Sequence, residues 1–152
     1  MQIDYHITNV DRSKPMEVNE KVEAGLECNA QIKAIDWNCD GSLLAFGGKD
    51  KAITIWNPKH TTKPEYSYSV NNTVLQIKWS PIDKNVIACT MERDTLKIWD
   101  VKNEKFSFTI TLTGYPDHMC WSPDGSYITV LNDVCFVLEV TMVERHPVHG
   151  GR

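Results

Sequence analysis

Short runs of alternating apolar and polar residues, each ended by a cluster of turn formers, fill most of this chain. LQIKW places Leu75, Ile77 and Trp79 on one face, and QIKAIDW alternates less regularly through Ile32, Ala34, Ile35 and Trp37. Alternation of period two predicts half-buried strands. Each run leads into Asp, Gly, Ser or Pro residues that reverse the chain, at Asn38 to Ser42, Ser80 to Lys84 and Ser122 to Ser126. A second strand is predicted at SLLAFGG, NVIACT and SYITVL, and a third at AITIW, TLKIW and VCFVL. Tight turns between them fall at Gly48 to Asp50, Glu92 to Asp94, and Asn132 with Asp133. YSYSV and FSFTITL read as fourth, outer strands. Helical periodicity longer than a turn is absent, apart from an ambiguous stretch at Met16 to Leu26.

The runs repeat. Trp37, Trp79 and Trp121 are spaced by 42 residues, inside IDWNCDGSLLAFGG, IKWSPIDKNVIACT and HMCWSPDGSYITVL. A second tryptophan follows in two copies, at Trp56 and Trp99, 43 residues apart, and the third copy has lost it. Four short strands per unit, with Trp99–Asp100 closing a third strand, resemble the WD40 blade of a β-propeller. The predicted fold is therefore all-β: a partial WD40 β-propeller with about three four-stranded blades of roughly seven, since such rings close with about 4 to 8. The expected structural repeat positions are Trp37, Asp50, Trp56, Trp79, Trp99, Asp100, Trp121, Asp124 and Gly125. The tryptophans are read as packing in the inner layers of the blades.

Three blades occupy residues 31–140; 1–30 form an N-terminal segment that the pattern leaves unassigned, with part of an outer strand as one option, and 141–152 form a tail. Three blades do not close a ring, so either the chain is a truncated product or a partner supplies the remaining blades; the tail stops where a fourth strand of the third blade belongs, which favours truncation over a natural end. An open array exposes strand edges and apolar flanks. The blades depart from the full repeat. Gly-His is missing from all three, Gly114–Tyr115 being its nearest remnant, and only Asp50 with Trp56 keeps an Asp six residues before the tryptophan, Arg93 standing there in the second copy. Apolar packing is thus expected to hold the blades more than a buried polar set.

Composition narrows the function. Hydrophobic residues make up 41% and charged residues 24% of 152, an ordinary globular mix. A net charge of −4 argues against a surface that coats nucleic acid or a membrane. The five cysteines are scattered without a CxxC pair, against both a disulfide framework and a zinc site. The N-terminus lacks a secretory pattern and no run is apolar enough to span a membrane, which points to a reducing interior, cytosol or nucleus.

Local motifs read as structure. Gly47, Gly48 and Lys49 lack the upstream glycine and following Ser or Thr of a phosphate loop. His146 and His149 flank Pro147 with no third ligand near. Ser80–Pro81 and Ser122–Pro123 suit turns better than phosphorylation, and the acceptor triplet Asn71 to Thr73 has no secretory route. No catalytic motif occurs, so no enzyme activity, cofactor, metal or small-molecule substrate is expected.

From Ile32 to Val140 the wording resembles the N-terminal blades of the THO complex subunit 3 family. It is carried by IKAIDWNCDGSLLAFGGKDKAITIW, LQIKWSPIDKNVIACT with DTLKIWDVKNEKF, and TITLTGYPDHMCWSPDGSYITVLND, with Cys120 to Gly125 at its centre. The first 30 residues, the short turn at Asn132 and Asp133, and the later blades do not match. The resemblance implies a nuclear scaffold without catalytic residues, which holds other THO and transcription-export subunits in messenger RNA packaging and export and meets RNA indirectly. The alternatives are a WD40 adaptor elsewhere, such as a ubiquitin-ligase substrate receptor or chromatin scaffold, and, third, a propeller enzyme.

Overall fold

The computed structural model describes residues 25–59, 63–93, 95–102 and 105–141. Residues 1–24, Asp94, and the tail with His146 and His149 lie outside them, as does all but the end of the ambiguous 16–26 stretch. Among the described residues there are eleven strands in three antiparallel sheets and no helix. The first sheet runs β1 (Ile32–Trp37), β2 (Leu44–Gly48), β3 (Ala52–Trp56), β4 (Tyr66–Ser69). The second runs β5 (Val74–Trp79), β6 (Val86–Met91), β7 (Thr95–Asp100), β8 (Lys105–Thr111). The third holds β9 (His118–Trp121), β10 (Tyr127–Leu131) and β11 (Cys135–Glu139). In each, strands adjacent in sequence pair, so each sheet is a meander.

The first hairpin of every sheet pairs its repeated tryptophan with the second strand, across a turn one residue longer in the second sheet than in the others. Trp37 pairs with Leu44, Trp79 with Ile87 and Trp121 with Ile128. Its turn is held by a carboxylate that accepts the amide two residues on: Asp40 from Ser42 at 3.0 Å, Asp83 from Asn85 at 2.9 Å and Asp124 from Ser126 at 3.1 Å. These Asp side chains satisfy backbone donors that the reversal would leave bare. Hydrogen bonds from Ser42 hold the Asp40 carboxyl below its ordinary range, and those from Ser122 and Ser126 do the same for Asp124.

The second turn differs between repeats. Glycines 47 and 48 belong to β2, so the reversal falls at Lys49 to Lys51, one residue later than the sequence pattern places it, with Lys51 at φ 54°. In the second sheet Arg93 takes the left-handed conformation, at φ 65°. Gly48 is required by close approach: a Cβ there would collide with the Gln31 carbonyl and sit 2.9 Å from the Lys33 nitrogen.

Two apolar layers separate the three sheets. Ala45, Ile53 and Ile55 meet Ile77, Ile87 and Trp99 between the first and second. Val86, Ala88, Leu96 and Ile98 meet Met119, Ile128 and Val130 between the second and third. The middle sheet is therefore covered on both faces, and every residue of β6 is buried. That explains why Val86 to Cys89 form a continuous apolar run, without the alternation of a strand with one wet face. Tyr68 packs its ring edge-on to Trp99, the centroids 3.8 Å apart and the planes at 86°.

Candidate interaction site

β1, β5 and β9 lie side by side, and the joints between them use one device. The Trp79 indole N–H donates to the Asp36 carbonyl at 3.1 Å, while the Trp79 backbone N–H donates to the Asp36 carboxylate at 2.8 Å. One period later the Trp121 indole donates to the Lys78 carbonyl at 3.0 Å. Gln76 reinforces that second joint, accepting from the Met119 amide at 2.8 Å and donating to the Asp117 carbonyl. The 42-residue tryptophans thus tie a sheet to the one before it. Packing in the apolar layers, the expected role, holds for Trp56, Trp79 and Trp99, and Trp121 packs partly buried against the second layer; the exception is Trp37. Trp56 and Trp99 are buried, but Trp121 is partly buried and Trp37 is 49% exposed, because no described sheet precedes it.

The remaining repeat positions serve turns. Asp50 is exposed and its carboxylate accepts from Gly48 at 3.1 Å and Ala52 at 3.4 Å, capping its own reversal. Asp100 accepts from the Lys102 amide at 2.9 Å. Asp124 also accepts from the Ser122 hydroxyl at 2.6 Å, and Gly125 adopts φ 72° against Ile82 of the preceding repeat. Ser80 is buried, its hydroxyl accepting the amides of Ile82 and Asp83, and Ser122 accepts that of Tyr127 at 2.9 Å. These residues are spread over three sheets and build the array; they do not converge on one pocket.

Convergence occurs where the inner strands begin. Both β1 and β5 carry a bulge at their first turn of register, between Ile32 and Ala34 and between Val74 and Gln76. Lys33, Leu75 and Asp117 each stand four residues before a repeated tryptophan, and all three line one open depression of about 380 Å³, with Gln76, Tyr115 and Pro116 beside them. Lys33, Tyr115 and Asp117 are exposed. The wall is polar and carries both charge signs, whereas small-molecule pockets are enclosed and mostly apolar. It suits recognition of a protein segment by hydrogen bonds and charge. Sequence reading did not single out these residues, although their fixed offset from the tryptophans marks them.

A second depression, about 250 Å³, lies at the other end of the inner strands, between Ser42, Asn57, Tyr66, Lys84, Asn85 and Lys102. Cys89 is fully buried, and desolvation pushes its thiol up to about 12, which removes it from nucleophilic chemistry. Among the described residues no three His, Cys, Asp or Glu side chains gather as metal ligands.

The repeated joints and stacked antiparallel meanders, two of four strands and one of three among the described residues, define an array of WD40 β-propeller blades. A family model described as eukaryotic translation initiation factor eIF2A matches residues 7–135, and the chain belongs to that family. It is similar to THO complex subunit 3 of Arabidopsis thaliana, 25% identical over 116 residues that cover 72% of this chain and 37% of the relative. WD repeat-containing protein srw1 of Schizosaccharomyces pombe is 28% identical over 125 residues, 78% of this chain and 21% of the relative. GATOR2 complex protein WDR24 of Dictyostelium discoideum is 32% identical over 108 residues, 67% of this chain and 10% of the relative. The chain thus spans little more than a third of the Arabidopsis relative and less of the others. A chain in a crystal structure of the mitotic checkpoint complex shares the fold, with a TM-score of 0.67 and 19% identity over 76% of this chain and 37% of that one. The chain is a WD40 repeat protein that resembles THO complex subunit 3.

Proposed function

We propose that this chain is a non-catalytic scaffold of a THO-type assembly in the nucleus, where it holds protein subunits during messenger RNA packaging and export and meets RNA only through them. The observation that carries the reading is the similarity to THO complex subunit 3, which spans 72% of the chain. Its repeat architecture supplies the means: rigid meanders present the strand starts around Lys33, Gln76, Tyr115 and Asp117 as a docking surface. Loops and strand ends on a rigid frame are where binding residues concentrate. A net charge of −4 agrees with indirect RNA contact.

The family model favours a second reading, a part in eukaryotic translation initiation. One experiment separates the two. Tagged chain recovered from nuclear and cytoplasmic extracts under mild conditions is expected to bring down THO and export-adaptor subunits from the nuclear fraction. Recovery of initiation factors and small ribosomal subunits from the cytoplasmic fraction supports the second reading, and recovery of a cullin ligase or a chromatin complex defeats both.

A further inference from the structure

The depression at the strand starts takes one residue from the same place in each repeat. Lys33, Leu75 and Asp117 stand 42 residues apart and present in turn a cation, an apolar side chain and an anion. Two backbone features aim them there. Lys33 and Leu75 are the extra residues of the bulges in β1 and β5, skipped where the pairing passes from Ile32 to Ala34 and from Val74 to Gln76, and a bulge re-aims the side chain it carries. Asp117 is pinned on both sides: its amide donates to the Leu131 carbonyl at 2.8 Å, and its carbonyl accepts from the Gln76 side chain. Its carboxylate is left over. β1, β5 and β9 are edge strands of their sheets, so this wall runs along three sheet edges and is complete within them, whatever repeats adjoin the outer faces.

The charges of the wall are not paired with one another. Lys33 and Asp117 are exposed, and neither forms an ion pair among the described residues, whereas Lys84 meets Asp40 at 3.6 Å. Gln76 between them is committed, donating to the Asp117 carbonyl and accepting from the Met119 amide. Tyr115, 53% exposed, lines the depression two residues before Asp117. A carboxylate beside an exposed aromatic ring suits a guanidinium, which stacks on the ring and meets the acid with its planar fork.

We infer that the depression takes an extended protein segment with an acidic, an apolar and an arginine side chain in that order along the wall, the acid at Lys33, the apolar residue at Leu75 and the arginine at Tyr115 and Asp117. The inference rests on the reading of this surface as a docking site. Packed sheets lie about 10 Å apart and an extended chain advances about 3.3 Å per residue, so successive recognised residues stand two or three positions apart in the segment. A nucleic acid strand fits less well, because its phosphates would meet Asp117 as well as Lys33.

The test titrates short Gly- and Ser-based peptides carrying Glu, Leu and Arg at these spacings, in either chain direction, into the isotope-labelled 152-residue chain and follows its amide signals by nuclear magnetic resonance. Saturable shifts at Lys33, Leu75 and Asp117 are expected. Asp117→Lys is expected to weaken binding at least tenfold and to prefer the peptide with Glu in place of Arg; Lys33→Glu is expected to weaken it as much and to prefer the peptide with Arg in place of Glu. Lys102→Glu, at the other depression, should leave binding unchanged. Equal binding of every charge pattern, or loss in the variants without the reversed preference, overturns the inference, and so does tighter binding of a single-stranded oligonucleotide at the same residues. The Lys33→Glu arm stands by itself should Asp117→Lys fail to fold. The docking reading fails separately. If tagged Asp117→Lys chain recovers the same nuclear partners as the parent, this surface is not the docking site and the inference falls with it; if recovery is lost yet no peptide binds the parent, the docking site stands and the peptide class alone is overturned.

Discussion

Asp36 meets Trp79 twice: its carbonyl accepts the indole N–H at 3.1 Å and its carboxylate accepts the backbone N–H at 2.8 Å. The two residues are 43 apart in sequence and belong to different sheets. One pair of residues, each using both its backbone and its side chain, therefore fixes the first joint at two points, and Trp79 is 4% exposed there. A tryptophan suits this place because it adds a large apolar body to the inter-sheet core and carries one donor for the facing carbonyl.

Trp79→Phe keeps most of the ring and removes the donor, leaving the Asp36 carbonyl without its partner. An unmatched buried polar group costs about 1–3 kcal/mol. Trp79→Ala adds cavity formation and is expected to cost about 3–5 kcal/mol. Urea unfolding at one fixed protein concentration checks both. Equal loss in the two variants would show that the indole N–H, and not the packed ring, carries the joint; no loss in Trp79→Phe would show that the bond is idle.

The period of the fold was legible because strands alternate and turns repeat their Asp and Gly residues. The irregular alternation of QIKAIDW has its cause in the bulge between Ile32 and Ala34, which shifts later residues by one face. What a linear pattern does not carry is the partner across a joint. Trp37, Trp79 and Trp121 look alike in sequence, yet a preceding sheet buries the second and partly covers the third, and the first stays half in solvent. The depression was hidden for the same reason. Lys33, Leu75 and Asp117 share no chemistry, and only the stacking of β1, β5 and β9 brings them to one wall.

Gly41 and Gly125 open the same kind of turn, at φ 69° and 72°. Nothing lies within 4 Å of a Cβ at Gly41, so Gly41→Ala meets only the left-handed backbone cost of about 1–2 kcal/mol. A Cβ at Gly125 would sit 2.6 Å from Ile82 Cγ1, so Gly125→Ala is expected to cost more than Gly41→Ala. Ile82 is 65% exposed and its truncation alone should cost little. Adding Ile82→Ala to Gly125→Ala is therefore expected to bring the loss back toward that of Gly41→Ala. Thermal unfolding of the four variants decides it, and strict additivity would rule out the clash.

Cys89 and Cys39 are a matched internal comparison for accessibility. Cys39 is exposed in the first turn; Cys89 is completely buried between the first two sheets, with its thiol pushed up to about 12. At pH 8 a thiol-directed alkylating reagent is expected to modify Cys39 within minutes and to reach Cys89 only at the rate of unfolding. Peptide mass spectrometry over a labelling time course reads both sites in one sample. Labelling of Cys89 as fast as Cys39 would mean that the layer between the sheets opens readily.

Asp40 and Asp124 make the array sensitive to acid. Both carboxyls titrate below their ordinary 3.8 because serine donors hold the charged form, Ser42 for Asp40 and Ser122 with Ser126 for Asp124. When folding lowers a carboxyl's pKa, its contribution to stability is full above the unfolded value and is lost as pH falls through the folded one. Stability is therefore expected to be flat with respect to these two groups from neutral pH down to about 5, and to fall below about 4 as they take up protons. Both side chains are open to water, so each effect is small; salt screens it little at Asp124, whose donors are neutral hydroxyl and amide groups, and more at Asp40, where the Lys84 ammonium lies 3.6 Å away. Urea midpoints between pH 7 and pH 3 for the parent and for Asp124→Asn with Asp40→Asn check the sign. The double variant should be less stable than the parent at pH 7 and should lose less on acidification; parallel curves would place the acid-sensitive groups elsewhere.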